Sequence, residues 1–433
     1  MAQTYKFGNG TWARKKGSTL AYSDTNNAFK PLPFSFERNS IATRVNKEGL
    51  IEVVGNDIPR IDYTDSTEGV LLLENSSTNL ITYSEDFSNA SWIKNNVNLT
   101  SGFISPNGTA NAYKITEDLT NATHRIRIAS LANGSAANKQ FTYSIFVKKS
   151  EVKWFLLKTV INGQSLTVDV WFDLENGVIG TESNGSGTIE DYGNDWYRCS
   201  INIVTNSSAN SLNIYGYLAD KDGIPENYQG DGTSGVYIWG AMLEQNSVAS
   251  SYIPTNGSTV QRAAETCNES GNSEVFNDSQ GVLFANIAAL ANDGTKRRIT
   301  INNGSSSQFI QLEYRPTTDT IQVGVYNGAS QGYFTESINA KLYNKIAYLY
   351  EDNNFKLYVS GFQLGSTITS GTTFSDGTLQ NLSFDNGASS DSFKGKTKEI
   401  GYYDEILTDA ELEKLTSYRS LNEMVTELNL NAL

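Results

Sequence analysis

Along much of this chain apolar and polar side chains alternate with a period of two, and the alternation is cut at short intervals by turn dipeptides. In residues 141–148 Phe141, Tyr143, Ile145 and Val147 share one side, the pattern of a strand with one buried face. Residues 168–174, 196–204 and 212–218 read the same way. Between these runs stand Asn162-Gly163, Asn176-Gly177, Asn184-Gly185 and Asp231-Gly232, residues that accept the positive φ of tight hairpins. From about 70 to 262 the repeated strand and turn predict an antiparallel sandwich or barrel. A second β run is expected from about 281 to 406, with strands at 281–287, 308–314, 320–326, 345–350 and 354–359.

The segments around these runs differ in character. Residues 1–34 carry turn signals at Asn9-Gly10 and Asn26-Asn27, then Pro31 and Pro33, which favour an extended entry into the next segment. Two short strands are predicted around the Lys47-Glu48-Gly49 turn, then a linker-like strand at 59–63. Residues 265–280 are polar and poor in apolar side chains, and read as a boundary holding at most one short strand. Near the end Thr408 and Glu411 make a capping box for a helix carrying Leu412 and Leu415. Leu421, Met424, Val425 and Leu428 then form an apolar helical stripe, expected to pack on its own domain, with a subunit contact as the alternative.

Composition narrows the class. At 433 residues, with 38% hydrophobic and 18% charged residues, 23 Tyr and 19 Phe, the chain is long enough for two or three cores. It is too rich in aromatic and β-branched residues to be disordered. A net charge of -14 opposes sequence-independent nucleic-acid binding, which needs clustered cations, and disfavours anionic membranes. No run approaches the roughly 18 apolar residues of a membrane span, and the first residues lack a secretory apolar region. The expectation is a soluble protein that does not leave by the usual export route. Cys199 and Cys267 fall in different predicted modules outside any Cys-x-x-Cys spacing, and are expected to be unpaired.

Candidate chemistry is sparse. His124 is the only histidine, so a Ser-His-Asp triad would need that residue and His-based metal sites fail; its place at the start of a strand suggests a structural role. Paired carboxylates remain a workable catalytic device. The strand that could display them has Glu399, followed on the same side by Gly401 and Tyr403, so no enzyme activity is expected. For sugar binding, aromatic platforms beside polar loops are the device to look for. Trp154, after a polar turn, and Tyr228, in a turn-rich loop, are the candidates. Trp171 and Trp196 lie in alternating strands and are expected in the core, as are Trp92 and Trp239.

Residues 69–92, answered by residues 235–265, resemble the opening and closing strands of the carbohydrate-binding-like jelly roll of bacteriophage tail-fibre and head-fibre surface proteins. Residues 36–54 and 59–63 also resemble the stretch that precedes it there. Residues 393–417, where a final strand leads into Leu407-Thr408-Asp409-Ala410-Glu411 and a short helix, resemble the end of a laminin-G or concanavalin A-like module. The resemblance implies an all-β chain of two tandem antiparallel β-sandwiches. Its parts would be an attachment segment (1–65), a jelly roll (66–264), a linker (265–280), a laminin-G/concanavalin-like domain (281–418) and a helical tail (419–433). It also implies a non-enzymatic virion surface protein, a fibre or decoration subunit made in the host cytoplasm. Its expected partners are other virion proteins through the N-terminal segment, host surface polysaccharide, and copies of itself, as a trimer. The alternatives are a purely structural virion component, a polysaccharide-degrading tailspike, or a bacterial adhesin. Jelly rolls of this kind often hold a structural calcium, for which Asp86 and Glu244 are the candidates; no other cofactor is expected.

Overall fold

The computed structural model describes residues 5–8, 11–24, 28–224, 227–428 and 430. The turns expected at Asn9-Gly10 and Asn26-Asn27 lie outside the described residues. Two compact units divide the chain: unit 1 comprises residues 1–41, 54–75 and 264–433, and unit 2 comprises residues 42–53 and 76–263. Among the described residues every regular element apart from two short helices is a strand, and the strand pairs are antiparallel.

Unit 2 is the jelly-roll-like sandwich. Six strands, Ile93–Asn95, Arg125–Leu131, Ser211–Ala219, Trp154–Asn162, Leu166–Asp173 and Val178–Ser183, pair in that order. The facing sheet orders Val97–Phe103, Ala112–Glu117, Gly235–Glu244, Gln140–Lys149, Trp196–Val204 and Gly187–Asp191. The alternation explains the core: Phe141, Tyr143, Ile145 and Val147 from one sheet meet Phe155, Leu157, Val168 and Val170 from the other, and removal of this apolar area from water is the main stabilising term. The hairpin of Ala42–Val45 and the strand after it contribute Val45 and Ile51, which pack with Trp196, Trp239 and Phe146 in a second apolar cluster.

Unit 1 is the second sandwich. Its central strands Gly395–Tyr403, Gln280–Ala289, Asn344–Glu351 and Phe355–Val359 lie side by side in a large sheet. A five-stranded sheet built on Phe309–Tyr314, Thr320–Tyr326 and Arg297–Asn302 faces it. The predicted strands are all present.

The domain organisation departs from expectation at three places. Residues 1–65 are not a free-standing attachment segment: Tyr5–Gly8 pairs with Gly395–Tyr403, with Tyr5 opposite Tyr402 and Phe7 opposite Ile400, and Tyr5, Phe7, Phe34 and Phe36 are buried in the core of unit 1. The alternation of Leu32, Phe34 and Phe36 drives this, since three apolar residues on one side of a strand need a core to cover them. Residues 265–280 are not a linker either, because Thr266–Asn268 pairs with Lys30–Glu37 and Cys267 is buried. Helix α1 (Asp409–Thr416) has the predicted capping box and buries Leu412. In the tail, helix α2 (Leu421–Glu427) leaves Leu421 exposed while burying Glu427. It docks on its own unit, as expected, through Lys345–Glu423 at 2.7 Å and Lys398–Glu427 at 2.9 Å, with Met424, Val425 and Leu428 only half-buried beside these ion pairs. Both cysteines are free and buried.

Candidate functional site

A sheet in a two-layer sandwich uses one face for the core, and the opposite face needs no apolar side chains. In unit 2 the outer face of the sheet containing Trp154–Asn162 breaks this expectation. Strand register sets Arg125 opposite Tyr217, Tyr217 opposite Leu156, and Leu156 opposite Trp171. A parallel row runs from Arg127 through Tyr215 and Lys158 to Asp169. Leu156, Trp171, Tyr215, Tyr217 and Ala219 form an apolar cluster apart from the inter-sheet core, with Trp154 and Val160 packed at its margin.

Electrostatics on this face are specific. The Arg125 guanidinium lies 5.4 Å from the Tyr215 ring centre and 5.3 Å from that of Tyr217, and donates to the Tyr217 hydroxyl at 2.6 Å, a cation–π arrangement with one directed bond. Arg127 is half-buried, and its Nε is shielded from solvent with no hydrogen-bond partner. Trp171, 3% exposed, holds an indole N–H that likewise has no partner. Lys158 pairs with Asp169 at 3.2 Å, and Lys153 pairs with Asp173 at 3.0 Å while resting 5.5 Å from the Trp154 ring. Gly180 on the edge strand makes room for Trp154, because a Cβ there would stand 2.7 Å from the indole.

The two predicted sugar-binding residues separate. Trp154 lies half-buried at the margin of this face. Tyr228 belongs to a two-stranded ribbon with Asn121 and Ala122; its hydroxyl donates to Glu117 at 2.6 Å and its ring lies 4.7 Å from the His124 ring. Burial, then the adjoining Glu117 carboxylate, push the Tyr228 hydroxyl far above the usual phenol range. His124 is fully buried and bonded through Nδ1 to the Asn96 carbonyl at 2.7 Å, a structural role.

Trp171 corrects the sequence reading. It is buried as expected but on the outer side, because alternation gives a period and does not say which phase faces the partner sheet. Sequence reasoning misses Tyr215, Tyr217, Arg125 and Arg127, although two aromatics on the polar phase of residues 212–218 are a readable signal.

The calcium candidates do not fit a shared site. Glu244 is fully buried and its carboxylate already accepts from Ser77 Oγ at 2.6 Å, Asn246 Nδ2 at 2.6 Å, Ser250 N at 2.8 Å and Ser250 Oγ at 2.6 Å. These four hydrogen bonds occupy the carboxylate oxygens that a hard cation would need. Asp86 accepts from Ser88 and from the Tyr113 hydroxyl at 3.2 Å, bonds that hold it below the usual carboxylate range, those from Ser88 first. Among the described residues no three His, Cys, Asp or Glu side chains gather to hold a metal ion. Treatment with EDTA is therefore expected to leave the thermal unfolding midpoint unchanged; a drop reversed by added calcium would contradict this.

In unit 1 a cleft of about 270 Å³ opens on the outer face of the large sheet, lined by Phe284, Asn286, Lys345, Glu399 and Glu427 among others. Ile400 and Tyr402 point into the inter-sheet core, and Tyr403 belongs to the outer cluster with Phe284 and Leu412. Glu399, Gly401 and Tyr403 thus share the outer side, as their spacing predicts.

Comparison with known proteins bears on the fold. Residues 286–413 match the family model of the concanavalin A-like lectin/glucanases superfamily. No curated protein matches the chain. Among solved structures, the CBM40 module of the Ruminococcus gnavus IT-sialidase bound to α2,3-sialyllactose is similar at 14% identity over 35% of this chain and 94% of that one, with a TM-score of 0.30. Domain 4 of the arabinanase AbnA from Geobacillus stearothermophilus, in complex with arabinotriose, is similar at 13% identity over 40% and 84%, TM-score 0.29. Domains LG4-5 of the mouse laminin α1 chain are similar at 12% over 65% and 86%, TM-score 0.21. Similarities this low carry no functional argument. The chain is an all-β protein of antiparallel sandwiches, and its residues 286–413 are similar to concanavalin A-like lectins and glucanases.

Proposed function

We propose that this protein is a non-enzymatic surface protein of a bacteriophage particle, a fibre or decoration subunit, which adheres to host surface glycans through the outer face of unit 2. The observation that carries this reading is the row of Arg125, Tyr217, Leu156 and Trp171 on a face turned away from the core. Sugars offer flat CH faces to aromatic rings and hydroxyls to charged and amide groups. In this arrangement Trp154 is the accessible ring, Arg127 and Lys158 are the polar contacts, and the buried Tyr215, Tyr217 and Trp171 hold the floor rigid. The match of residues 286–413 to concanavalin A-like lectins and glucanases supports a carbohydrate-handling module. Glu399 without a carboxylate companion on its side of the strand favours binding over hydrolysis, and the resemblance of residues 69–92 and 235–265 to phage modules supports the particle. In this reading the protein is made in the host cytoplasm, assembles as a homo-oligomer, trimeric by the same resemblance, and attaches through unit 1, into which residues 5–37 are woven.

The deep burial of Trp171 and Tyr217 favours a second reading, in which the same face only stiffens a spacer module and binds no sugar. Binding of the purified full chain to host cells, before and after enzymatic stripping of their polysaccharide, separates the two. The first reading expects binding that is lost on stripping and weakened about tenfold, or roughly 1.4 kcal/mol, by Trp154→Ala. Unchanged binding by the Trp154→Ala protein would remove this face from the site, and no binding at all would leave the spacer.

A further inference from the structure

Unit 1 contains a cleft of its own, formed without residues of unit 2. Its floor is a polar row across three central strands of the large sheet: Lys345 stands opposite Asn286, and Asn286 opposite Glu399. These side chains line the cleft on the outer face of that sheet, with Phe284 and Leu415 as an apolar wall and Glu427 entering from helix α2.

The hydrogen bonding of this floor is one-sided. Asn286, 6% exposed, has an Oδ1 shielded from solvent with no partner, and Glu427, 7% exposed, leaves its Oε2 in the same condition. The half-buried Glu399 carboxylate accepts no hydrogen bond from the described residues. A buried acceptor left without a donor is costly, and this cleft gathers two such atoms beside the half-buried Glu399 carboxylate. Three of the cations around them are already engaged, and Lys6 acts on Glu399 from the neighbouring strand. Lys345 is held by Glu423 and the Ser417 carbonyl, Lys398 by the other oxygen of Glu427, and Arg419 by Glu423. Carboxylates and cations are equal in number along the lining, which therefore offers no excess charge of either sign, while the shielded atoms without partners are acceptors.

We propose that this cleft binds a neutral polyhydroxyl ligand, a single sugar ring, whose hydroxyls donate to Asn286 Oδ1, Glu399 and Glu427 while its carbon face rests on the apolar wall. An anion meets the unpartnered oxygens of the floor, and an ammonium ion meets Lys345, Lys398 and Arg419. Gly401 stands beside Glu399 on the same side, opposite Phe284. A Cβ there would make only ordinary contacts, the nearest at 3.5 Å, so a larger side chain can narrow the cleft without disturbing the strand.

The test uses the full chain with glucose, galactose, mannose and N-acetylglucosamine supplied singly, followed by saturation-transfer NMR and titration. At least one sugar is expected to bind with a Kd of about 1 mM, near −4 kcal/mol. Glu399→Gln, close to isosteric, and Gly401→Val, which leaves every polar group in place, are each expected to weaken it at least tenfold. Trp154→Ala is expected to leave it unchanged, which keeps this site distinct from the one on unit 2. Saturation by none of the four sugars overturns the proposal, as does binding retained by both unit 1 variants or lost in Trp154→Ala.

Discussion

Replacing Glu265 by Ala is expected to lower the stability of unit 1 by about 3–5 kcal/mol, the range found when one member of a buried ion pair is removed. Glu265 has no solvent exposure, nor do Arg38 and Arg60. Its Oε1 accepts from Arg38 at 2.7 Å and from Arg60 Nε at 2.8 Å, and its Oε2 from the Glu74 backbone at 2.9 Å. Arg60 also pairs with Glu74 at 2.8 Å, and Lys394 donates to the Glu265 carbonyl. Without the carboxylate, Arg38 still donates to the carbonyls of Ser40, Ile58, Val54 and Gly55, but its buried guanidinium loses the counter-charge of Glu265. Denaturant unfolding reads the effect. A loss below about 1 kcal/mol would show that water enters and replaces the carboxylate.

The same group sets a pH dependence. Burial alone would raise the Glu265 pKa, but the guanidiniums of Arg60 and then Arg38 more than offset it and hold the carboxyl below its ordinary value. A folded pKa below the unfolded one, about 4.3 for Glu, contributes stability that is present above the unfolded value and lost as pH falls through the folded one. Unit 1 is thus expected to weaken on acidification below about pH 4.3, and Glu265→Gln to flatten that part of its stability profile. Equal acid slopes in the two proteins would assign the acid sensitivity to other groups.

The second large effect is expected in unit 2. Glu244→Ala would strand the donors of the buried Ser77 and Ser250 and of the half-buried Asn246, at a cost of about 3 kcal/mol. These donors tie the start of the module, at Ser77, to its closing segment. Glu244→Gln tests the cause separately, since its amide presents hydrogens to groups that need an acceptor, and it is expected to recover little of the loss. Full recovery by Gln would mean that shape, not acceptor capacity, is what the site requires.

The local pattern of this chain is legible in its sequence and the long-range pairing is not. Phe141 to Val147, the turns at Asn162-Gly163 and Asn176-Gly177, and the Thr408 capping box are short-range signals, and each stands where its periodicity or chemistry requires. The strand Tyr5–Gly8 is unreadable as part of unit 1, because beyond the nearby Ser18–Ser23 its other partner in hydrogen bonding lies in residues 395–403. Nothing local records that. Trp171 shows a different limit: alternation marks two faces without naming the one that meets the other sheet. Glu399 draws notice in the sequence only as a catalytic carboxylate without companions. What gives its surroundings interest is Asn286, brought beside it from 113 positions earlier in the chain.

The weaving of the first strands into unit 1 also bears on how the chain is made. Domains generally fold as units during synthesis, N-terminal ones first, yet here that order is inverted. Unit 2 is complete once residue 263 has emerged, whereas Tyr5–Gly8, paired early with Ser18–Ser23, must wait for Gly395–Tyr403 before it gains its second neighbour. Until then Phe7, Phe34 and Phe36 have no finished core to enter. The nascent chain therefore carries these apolar side chains until residues 395–403 are made, and closing a loop of this length is slow. Chaperone demand, and the loss of yield on overproduction, should concentrate in that interval.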